Sequence, residues 1–151
     1  PLPLPKKEMT MKRIATKYVG LLLTFVASAA TGIGFHVAGH GAGHEEWHNW
    51  AVAHVLSSLC WLISGAIHIK RHRAWYRAIA SKGIGHKSRT TILLSALFLF
   101  VTVTGLILII GIDGANSALG RWHYISGLIL ILLSLIHIIS RKRTLQKNLN
   151  L

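Results

Sequence analysis

Four long runs of the sequence contain no Asp, Glu, Lys or Arg: residues 18–35, 47–69, 90–112 and 122–140. A helix needs about 20 mainly apolar residues to cross a hydrocarbon core about 30 Å thick. The three prolines stand before the first run, so none of them interrupts a helix. The pattern therefore predicts an all-α protein with a transmembrane four-helix bundle. We place the spans at about residues 14–37, 47–72, 90–112 and 121–141.

The first run also has some features of a secretory signal peptide. Basic residues precede it, and the small residues Ser28, Ala29 and Ala30 follow its apolar middle, as before a cleavage site. The apolar run nevertheless continues past Ala30 as far as Val37. We therefore expect a retained transmembrane helix.

The charge of the chain is strongly basic but unevenly distributed. The 151 residues include 17 Lys and Arg against 4 Asp and Glu, and only 14% of them are charged. A soluble protein with this balance would suggest a nucleic-acid partner, with basic residues spread over one surface. Here all of them except Arg121 form three blocks that the long apolar segments separate. The length and this pattern predict a single integral-membrane domain in contact with lipid, with no nucleic-acid partner.

The basic blocks also predict the topology. They lie before the first run, between the second and third runs, and after the fourth, and short cytoplasmic segments collect Lys and Arg. Both termini and the loop at 70–89 are therefore predicted to be cytoplasmic, and the His-rich segment at 36–48 to face outward. Residues 70–82 are predicted to form an amphipathic or interfacial helix.

Two of the runs carry paired histidines. His54 and His68 lie in the second run, and His123 and His137 lie in the fourth, each pair 14 residues apart. On an α-helix this spacing corresponds to about 21 Å of rise and close to four turns, so both imidazoles of a pair share one face. The predicted topology makes the two helices parallel, which sets His54 level with His123 near the outer leaflet and His68 level with His137 near the inner leaflet. Two facing imidazoles at each depth are what six-coordinate haem iron needs.

Other side chains on these helices fit the same interpretation. Four small residues share the histidine-bearing faces: Ser58, Gly65, Gly127 and Ser134. They would let a flat macrocycle approach the helix backbone, although small residues also serve ordinary helix packing in membranes. Arg121, beside His123, is a candidate partner for haem propionates; the alternative is a membrane-interface arginine.

Alternative roles for the four histidines fit less well. An ionisable side chain inside a membrane helix indicates function by default. A proton relay would be expected to include Asp or Glu, which the four runs lack. A zinc site needs its ligands at one level, whereas these lie at two levels about 21 Å apart. With a single cysteine, Cys60, the chain has no C-x-x-C-H motif for covalent haem attachment. The interpretation is two bis-histidine haem b groups.

The segments "HVLSSLCWLISGAIH" and "HYISGLILILLSLIH" resemble the second and fourth helices of the cytochrome b subunit of cytochrome bc complexes. Over about residues 14–143, the chain is more similar to a family of small bacterial four-helix b-type cytochromes. The resemblance implies that the four paired histidines are axial ligands and that the chain lies in a bacterial inner membrane. It also implies redox partners that carry flavin or several haems. The chain lacks the P-E-W-Y segment of cytochrome b, so the resemblance does not extend to its quinol oxidation site.

Three functions follow as hypotheses. The first is transmembrane electron transfer between a quinone or cytoplasmic-side partner and a redox protein on the outer face, as a cytochrome subunit rather than a stand-alone enzyme. The second is a small dihaem quinone reductase or superoxide oxidase. The third is a non-redox metal carrier that uses the histidines of the outward segment: His36, His40, His44 and His48.

The outward histidines lie on a connection interrupted by glycines, so their four-residue spacing need not place them on one helical face. A polar interfacial turn is the interpretation we favour. Proton exchange, partner docking or quinone contact, and direct metal or haem ligation, remain alternatives.

Replacing His40 and His44 together with alanine is expected to leave both haems bound, because the assigned ligands lie elsewhere. The measurement is the haem-to-protein ratio of the purified variant. Loss of a haem would show that the boundary of the site is wrong.

Overall fold

The computed structural model describes residues 6–41, 43–83, 85, 88–111 and 117–148, with side chains described only between Tyr18 and Ser140 and not for Lys82. The regular secondary structure of these residues is entirely helical, which confirms the all-α prediction. The helices are α1 (Lys6–Ala38), α2 (His44–Arg71), α3 (Arg73–Lys82), α4 (Arg89–Ile110) and α5 (Ala118–Asn148). The side chains of the basic blocks at both ends of the chain lie outside the described range.

Four of the helices contain segments long and apolar enough to cross a membrane: Tyr18–Ala38, His44–Arg71, Arg89–Ile110 and Ala118–Ser140. They match the four predicted spans. Many of their large apolar side chains are exposed on the protein surface, including Leu23, Ile63 and Ile110. Such continuous apolar exposure suits contact with lipid rather than with water. The chain has the character of a multi-pass membrane protein.

The helix ends differ from the predicted bounds where polar residues extend an apolar helix. Helix α2 begins at His44 rather than at about residue 47, and its first turn contains Glu45 and Glu46. Carboxylates are favourable there because they interact with the positive end of the helix dipole. Helix α5 continues beyond residue 141 to Asn148, a stretch that contains no glycine or proline to end it.

Specific residues mark where the helices begin and end. Gly111 follows α4 with a φ of +79°, a left-handed conformation that glycine adopts without steric cost, and its N–H donates to the Leu108 carbonyl. Ser117 precedes α5, and its Oγ accepts a hydrogen bond of 3.1 Å from the backbone N–H of Gly120. This is an N-cap, which satisfies a donor that the first turn leaves without a helical partner.

The chain divides into two compact units, Pro1–Ala74 and Trp75–Leu151. In the first unit α1 packs against α2 as a helical hairpin. Its contacts are largely aromatic: the rings of Phe25 and Trp61 lie 6.0 Å apart, and those of Phe35 and Trp47 lie 5.4 Å apart. Near the same end of the hairpin, Gly34 of α1 accommodates the indole of Trp50.

In the second unit α4 packs against α5, again as a helical hairpin. Val101 and Thr104 of α4 are buried, as are Ser126 and Leu130 of α5. Helix α3 joins this unit through a hydrogen bond of 2.6 Å between the hydroxyls of Tyr76 and Ser95.

Helix α3 is amphipathic, as predicted for this part of the chain. Trp75, Tyr76 and Ile79 are half-buried, whereas Arg73 and Arg77 are exposed. Such a helix suits the boundary between apolar and aqueous surroundings.

Replacing Gly34 with alanine is expected to destabilise the α1–α2 hairpin. An added Cβ would lie 2.5 Å from Cε3 and Cζ3 of Trp50, so the indole must move. Overpacking of this kind typically costs about 1–3 kcal/mol, measurable by reversible unfolding in mixed micelles. Gly20→Ala is the matched control on the same helix, since a Cβ there meets no atom within 4 Å. Equal stability of the two variants would contradict the packing described.

Candidate functional site

The four paired histidines are all half-buried within membrane-length helices. His54 and His68 lie on α2 in the first unit, and His123 and His137 lie on α5 in the second. Each hairpin therefore contributes one pair. Within each hairpin, the structure shows how the first histidine of the pair is held by the preceding helix.

The ring of His54 lies directly on the backbone of α1 at Gly32. A Cβ added to Gly32 would lie 2.8 Å from Cε1 and 3.2 Å from Nδ1 of the imidazole, which leaves no room for a larger residue. The Nδ1 atom lies 3.2 Å from the backbone carbonyl oxygen of Ser28. Because a carbonyl oxygen can only accept, Nδ1–H is the donor, which fixes the tautomer of His54. The ring of Phe35 stacks nearby at 6.3 Å between centroids.

Hydroxyl groups of both helices surround the same imidazole edge. Thr31 Oγ1 and Ser58 Oγ lie 3.5 and 3.4 Å from Nδ1 of His54. The hydroxyls also join the two helices, at 2.8 Å between Ser28 and Ser58 and at 2.8 Å between Thr31 and Ser57. Hydrogen bonds between helices hold membrane hairpins together where the hydrophobic effect cannot.

In the second hairpin His123 is held in the same way by α4. A Cβ added to Gly105 would lie 2.9 Å from Cε1 and 3.5 Å from Nδ1 of the imidazole. The Nδ1 atom lies 3.0 Å from Oγ1 of the buried residue Thr104. The Thr104 hydroxyl also lies 2.9 Å from the carbonyl oxygen of Phe100 and 3.1 Å from that of Val101, both on α4. When its single proton goes to one of these carbonyls, its oxygen accepts from Nδ1–H of His123.

The tautomer of an imidazole decides which of its nitrogens is able to bind a metal. A neutral imidazole with its proton on Nδ1 has its lone pair on Nε2. In both rings Nε2 is also the nitrogen farther from the glycine, at 3.6 Å for His54 and 3.9 Å for His123 from the added Cβ. Metal-ligating histidines ordinarily donate their other N–H to a carbonyl or similar acceptor. His54 has this hydrogen-bonding pattern, and His123 has it when the Thr104 hydroxyl donates to its own helix.

No protein-family model, curated protein or solved structure matches the chain. The resemblance to b-type cytochromes therefore stays a prediction, and any functional argument depends on the geometry of these residues.

The contacts reveal a repeated motif that the H-x13-H spacing did not. A Thr–Gly dipeptide stands in the helix before each histidine pair, as Thr31-Gly32 on α1 and Thr104-Gly105 on α4. A serine also stands three residues after each first histidine, and Ser57 and Ser126 both lie 3.1 Å from the carbonyl of that histidine. Thr31 and Thr104 are absent from the sequence-based site. A comparison of the two halves of the sequence would have found them.

The second histidine of the first pair has aromatic neighbours. The ring of His68 lies 6.0 Å from that of Tyr18 on α1, edge to face, and 4.7 Å from that of His72. His137, the corresponding residue of α5, is half-buried.

The predicted haem-face residues have different surroundings. Gly127 faces open space, since an added Cβ would meet no atom within 4 Å, whereas Gly65 is buried and Ser134 half-buried. Ser58 points toward Ser28 of α1 and so belongs to the hydrogen-bonded edge of His54. Arg121 is exposed in the first turn of α5.

The donor set fits haem b better than zinc. Among the described residues, no group of three or more His, Cys, Asp or Glu side chains converges as a metal site. Protein zinc sites generally need three or four such ligands at one place. Haem iron needs only two imidazole nitrogens, because the macrocycle supplies the remaining ligands. The Nε2 atom of His54 is a nitrogen of this kind, because Nδ1 of the same ring donates to a carbonyl.

The histidines of the 36–48 segment form two separate pairs. The rings of His36 and His40 lie 4.7 Å apart, and those of His44 and His48 stack at 6.4 Å. Helix α1 ends at Ala38 and α2 begins at His44, so the four residues do not share one continuous helical face, as the intervening glycines suggested.

The hydroxyl contact between Ser28 and Ser58 should be measurable as an energetic coupling. A double-mutant cycle with Ser28→Ala and Ser58→Ala is expected to give a coupling of about 0.6 kcal/mol, the average for interhelical hydrogen bonds in a membrane protein, and at most about 1.7 kcal/mol. The readout is the free energy of unfolding in mixed micelles. A cycle of Ser28→Ala with Ser81→Ala is the control, because Ser81 bonds within its own helix. Coupling no larger than in the control would contradict the contact.

Proposed function

We propose that the protein is a membrane cytochrome that carries electrons across the bilayer through two b haems. His54 and His123 are the proposed ligands of one iron, and His68 and His137 those of the other. The proposed partners are a quinone or a cytoplasmic-side protein at one face and a flavin or multihaem protein at the outer face. The proposed location is a bacterial inner membrane, with both termini in the cytoplasm.

The observation that carries this proposal is the repeated holding of a histidine ring in two membrane hairpins. Nδ1 of His54 donates to the Ser28 carbonyl at 3.2 Å, and Nδ1 of His123 lies 3.0 Å from the Thr104 hydroxyl, in each case on the preceding helix. A buried imidazole kept only for packing also needs an acceptor for its N–H, so a single such contact does not indicate a metal ligand. The recurrence of the same ring position, against a glycine and a polar atom of the preceding helix, on two helices with the same H-x13-H spacing supports a shared ligand role for Nε2.

The chain's own residues would set the properties of the site. Bound haem b supplies the one-electron couple of its iron. A hydrogen-bond acceptor at Nδ1 polarises the N–H bond and raises the basicity of the ring. Nε2 would therefore be a stronger electron-pair donor to a metal. The apolar faces of α2 and α5 keep water away and limit the reorganisation that accompanies a change of charge.

Charged residues outside the apolar segments support the proposed orientation. Arg121 is exposed near His123 in the sequence, where a guanidinium can bind a propionate carboxylate. Lys70, Arg71, Arg73 and Arg77 are exposed around the start of α3. A cluster of this charge beside a membrane helix is attracted to anionic lipid headgroups, which are abundant on the cytoplasmic leaflet.

Purified protein is expected to contain two haems per chain and to show b-type bands in the reduced-minus-oxidised spectrum. His54→Ala and His68→Ala should each lower the ratio to about one haem, because a bis-histidine site does not hold iron firmly with one ligand removed. His72→Ala is the matched control, since its ring neighbours His68 but lies outside the proposed ligand set. The ratio comes from a pyridine haemochrome assay. Protein without haem, after expression with ample haem supply, would refute the proposal.

A further inference from the structure

We infer that Gly32 and Gly105 are positioning residues that fix the rotation of the His54 and His123 rings, and that Thr104 is a positioning residue that fixes the tautomer of His123. This inference rests on the proposed function only for its redox consequence. The glycine supplies the surface on which the ring lies, and its helix supplies the acceptor for Nδ1–H. The glycine and the acceptor that position each histidine lie in the same hairpin as that histidine.

The contribution of the glycine is steric. Gly32 and Gly105 bring the imidazole into contact with helix backbone, and an added Cβ would come within 3.0 Å of Cε1 in both cases. The order of approach is the same in the two hairpins: Cε1 is nearest, Nδ1 next and Nε2 farthest. Glycine elsewhere in this chain does not imply such a contact, because Gly20 and Gly127 face open space. Gly34 also has a ring close to its backbone, the indole of Trp50, so what the two Thr–Gly dipeptides share is the close approach of an imidazole.

The contribution of the threonine is electronic and is clearest in the second hairpin. Thr104 is 4% exposed, and its hydroxyl lies within hydrogen-bond distance of two α4 carbonyls and of Nδ1 of His123. In the inferred arrangement the hydroxyl proton goes to the α4 backbone, so the oxygen accepts from Nδ1–H of His123 at 3.0 Å. In the first hairpin the main acceptor is the Ser28 carbonyl, with Thr31 farther away at 3.5 Å. The hydrogen bond at Nδ1 of His123 can therefore be removed by substituting one side chain, that of Thr104, whereas the main partner of His54 is a backbone carbonyl.

The sign of the redox effect follows from the hydrogen bond. Donation from Nδ1–H raises the basicity of the imidazole, and a more basic ligand stabilises oxidised iron over reduced iron. Removing the acceptor should therefore raise the reduction potential of the haem bound by His123. The haem assigned to His68 and His137 should keep its potential.

The first test compares Thr104→Val, which keeps the shape and removes the acceptor, with Thr104→Ser, which retains a hydroxyl. Spectroelectrochemical titration of the full-length haem-loaded protein should show an upward shift for one of the two haems in Thr104→Val and recovery in Thr104→Ser. Thr24→Val is the matched control, since the Thr24 hydroxyl bonds carbonyls of its own helix. Potentials in Thr104→Val equal to those in Thr24→Val would overturn the electronic part of the inference.

The second test concerns the glycine. Gly105→Ala should displace the His123 ring, so that one haem is lost or its low-spin spectrum becomes high-spin, while the other haem is retained. Gly20→Ala should keep two low-spin haems. If Gly105→Ala keeps both as well, the steric part of the inference is wrong although the proposed function stands.

A third measurement does not depend on haem. NMR of haem-free protein labelled with ¹⁵N-histidine should show His123 as the Nδ1–H tautomer in the wild type and a mixture of tautomers in Thr104→Val. This outcome supports the positioning role even if the wild-type protein binds no haem, which would refute only the proposed function. A tautomer mixture in the wild type would overturn the inference directly.

Discussion

An imidazole inside a membrane helix must find its hydrogen-bond partners within the protein, because the hydrocarbon core offers none. In both hairpins this requirement is met by the preceding helix, at the Ser28 carbonyl for His54 and at the Thr104 hydroxyl for His123. Such contacts are possible only if the ring reaches the neighbouring backbone. Gly32 and Gly105 permit that approach. The close packing of each hairpin at this level therefore follows from the need to satisfy one polar side chain.

The hydroxyl residues around His54 serve two purposes at once. Ser28 and Thr31 lie on α1, Ser57 and Ser58 lie on α2, and each hydroxyl contacts one on the other helix. Apolar side chains alone discriminate poorly between a helix neighbour and lipid, so directional bonds of this kind specify which faces meet. The bonds that align the helices also surround the Nδ1 edge of the histidine. Fold and site are specified by the same small group of residues.

The sequence predicts the helices well and the site only in part. Runs without charged residues locate membrane helices, because a charged side chain is unfavourable in the hydrocarbon core. The same rule does not locate the polar ends of a helix, such as the start of α2 at His44. The H-x13-H spacing places two histidines on one face but does not say which neighbour that face meets. Ser58 is predicted to leave room for a macrocycle. In the structure its hydroxyl contacts the hydroxyl of Ser28 and lies 3.4 Å from Nδ1 of His54. Which neighbour a side chain contacts depends on how the helices pack against each other. The periodicity of residues within one helix carries no information about that packing.

Each hairpin contains both the glycine and the acceptor that position its own histidine. This affects how the proposed cytochrome would assemble. Ordering a flexible side chain at the moment of binding costs about 0.5–1.5 kcal/mol. His54 and His123 avoid most of that cost, since glycine and its neighbouring acceptor hold each ring before any partner arrives. Membrane hairpins form before they associate in the two-stage view of folding. In the proposed cytochrome, the affinity for haem would therefore depend on how well the glycine and its neighbouring acceptor have oriented the histidine of each hairpin.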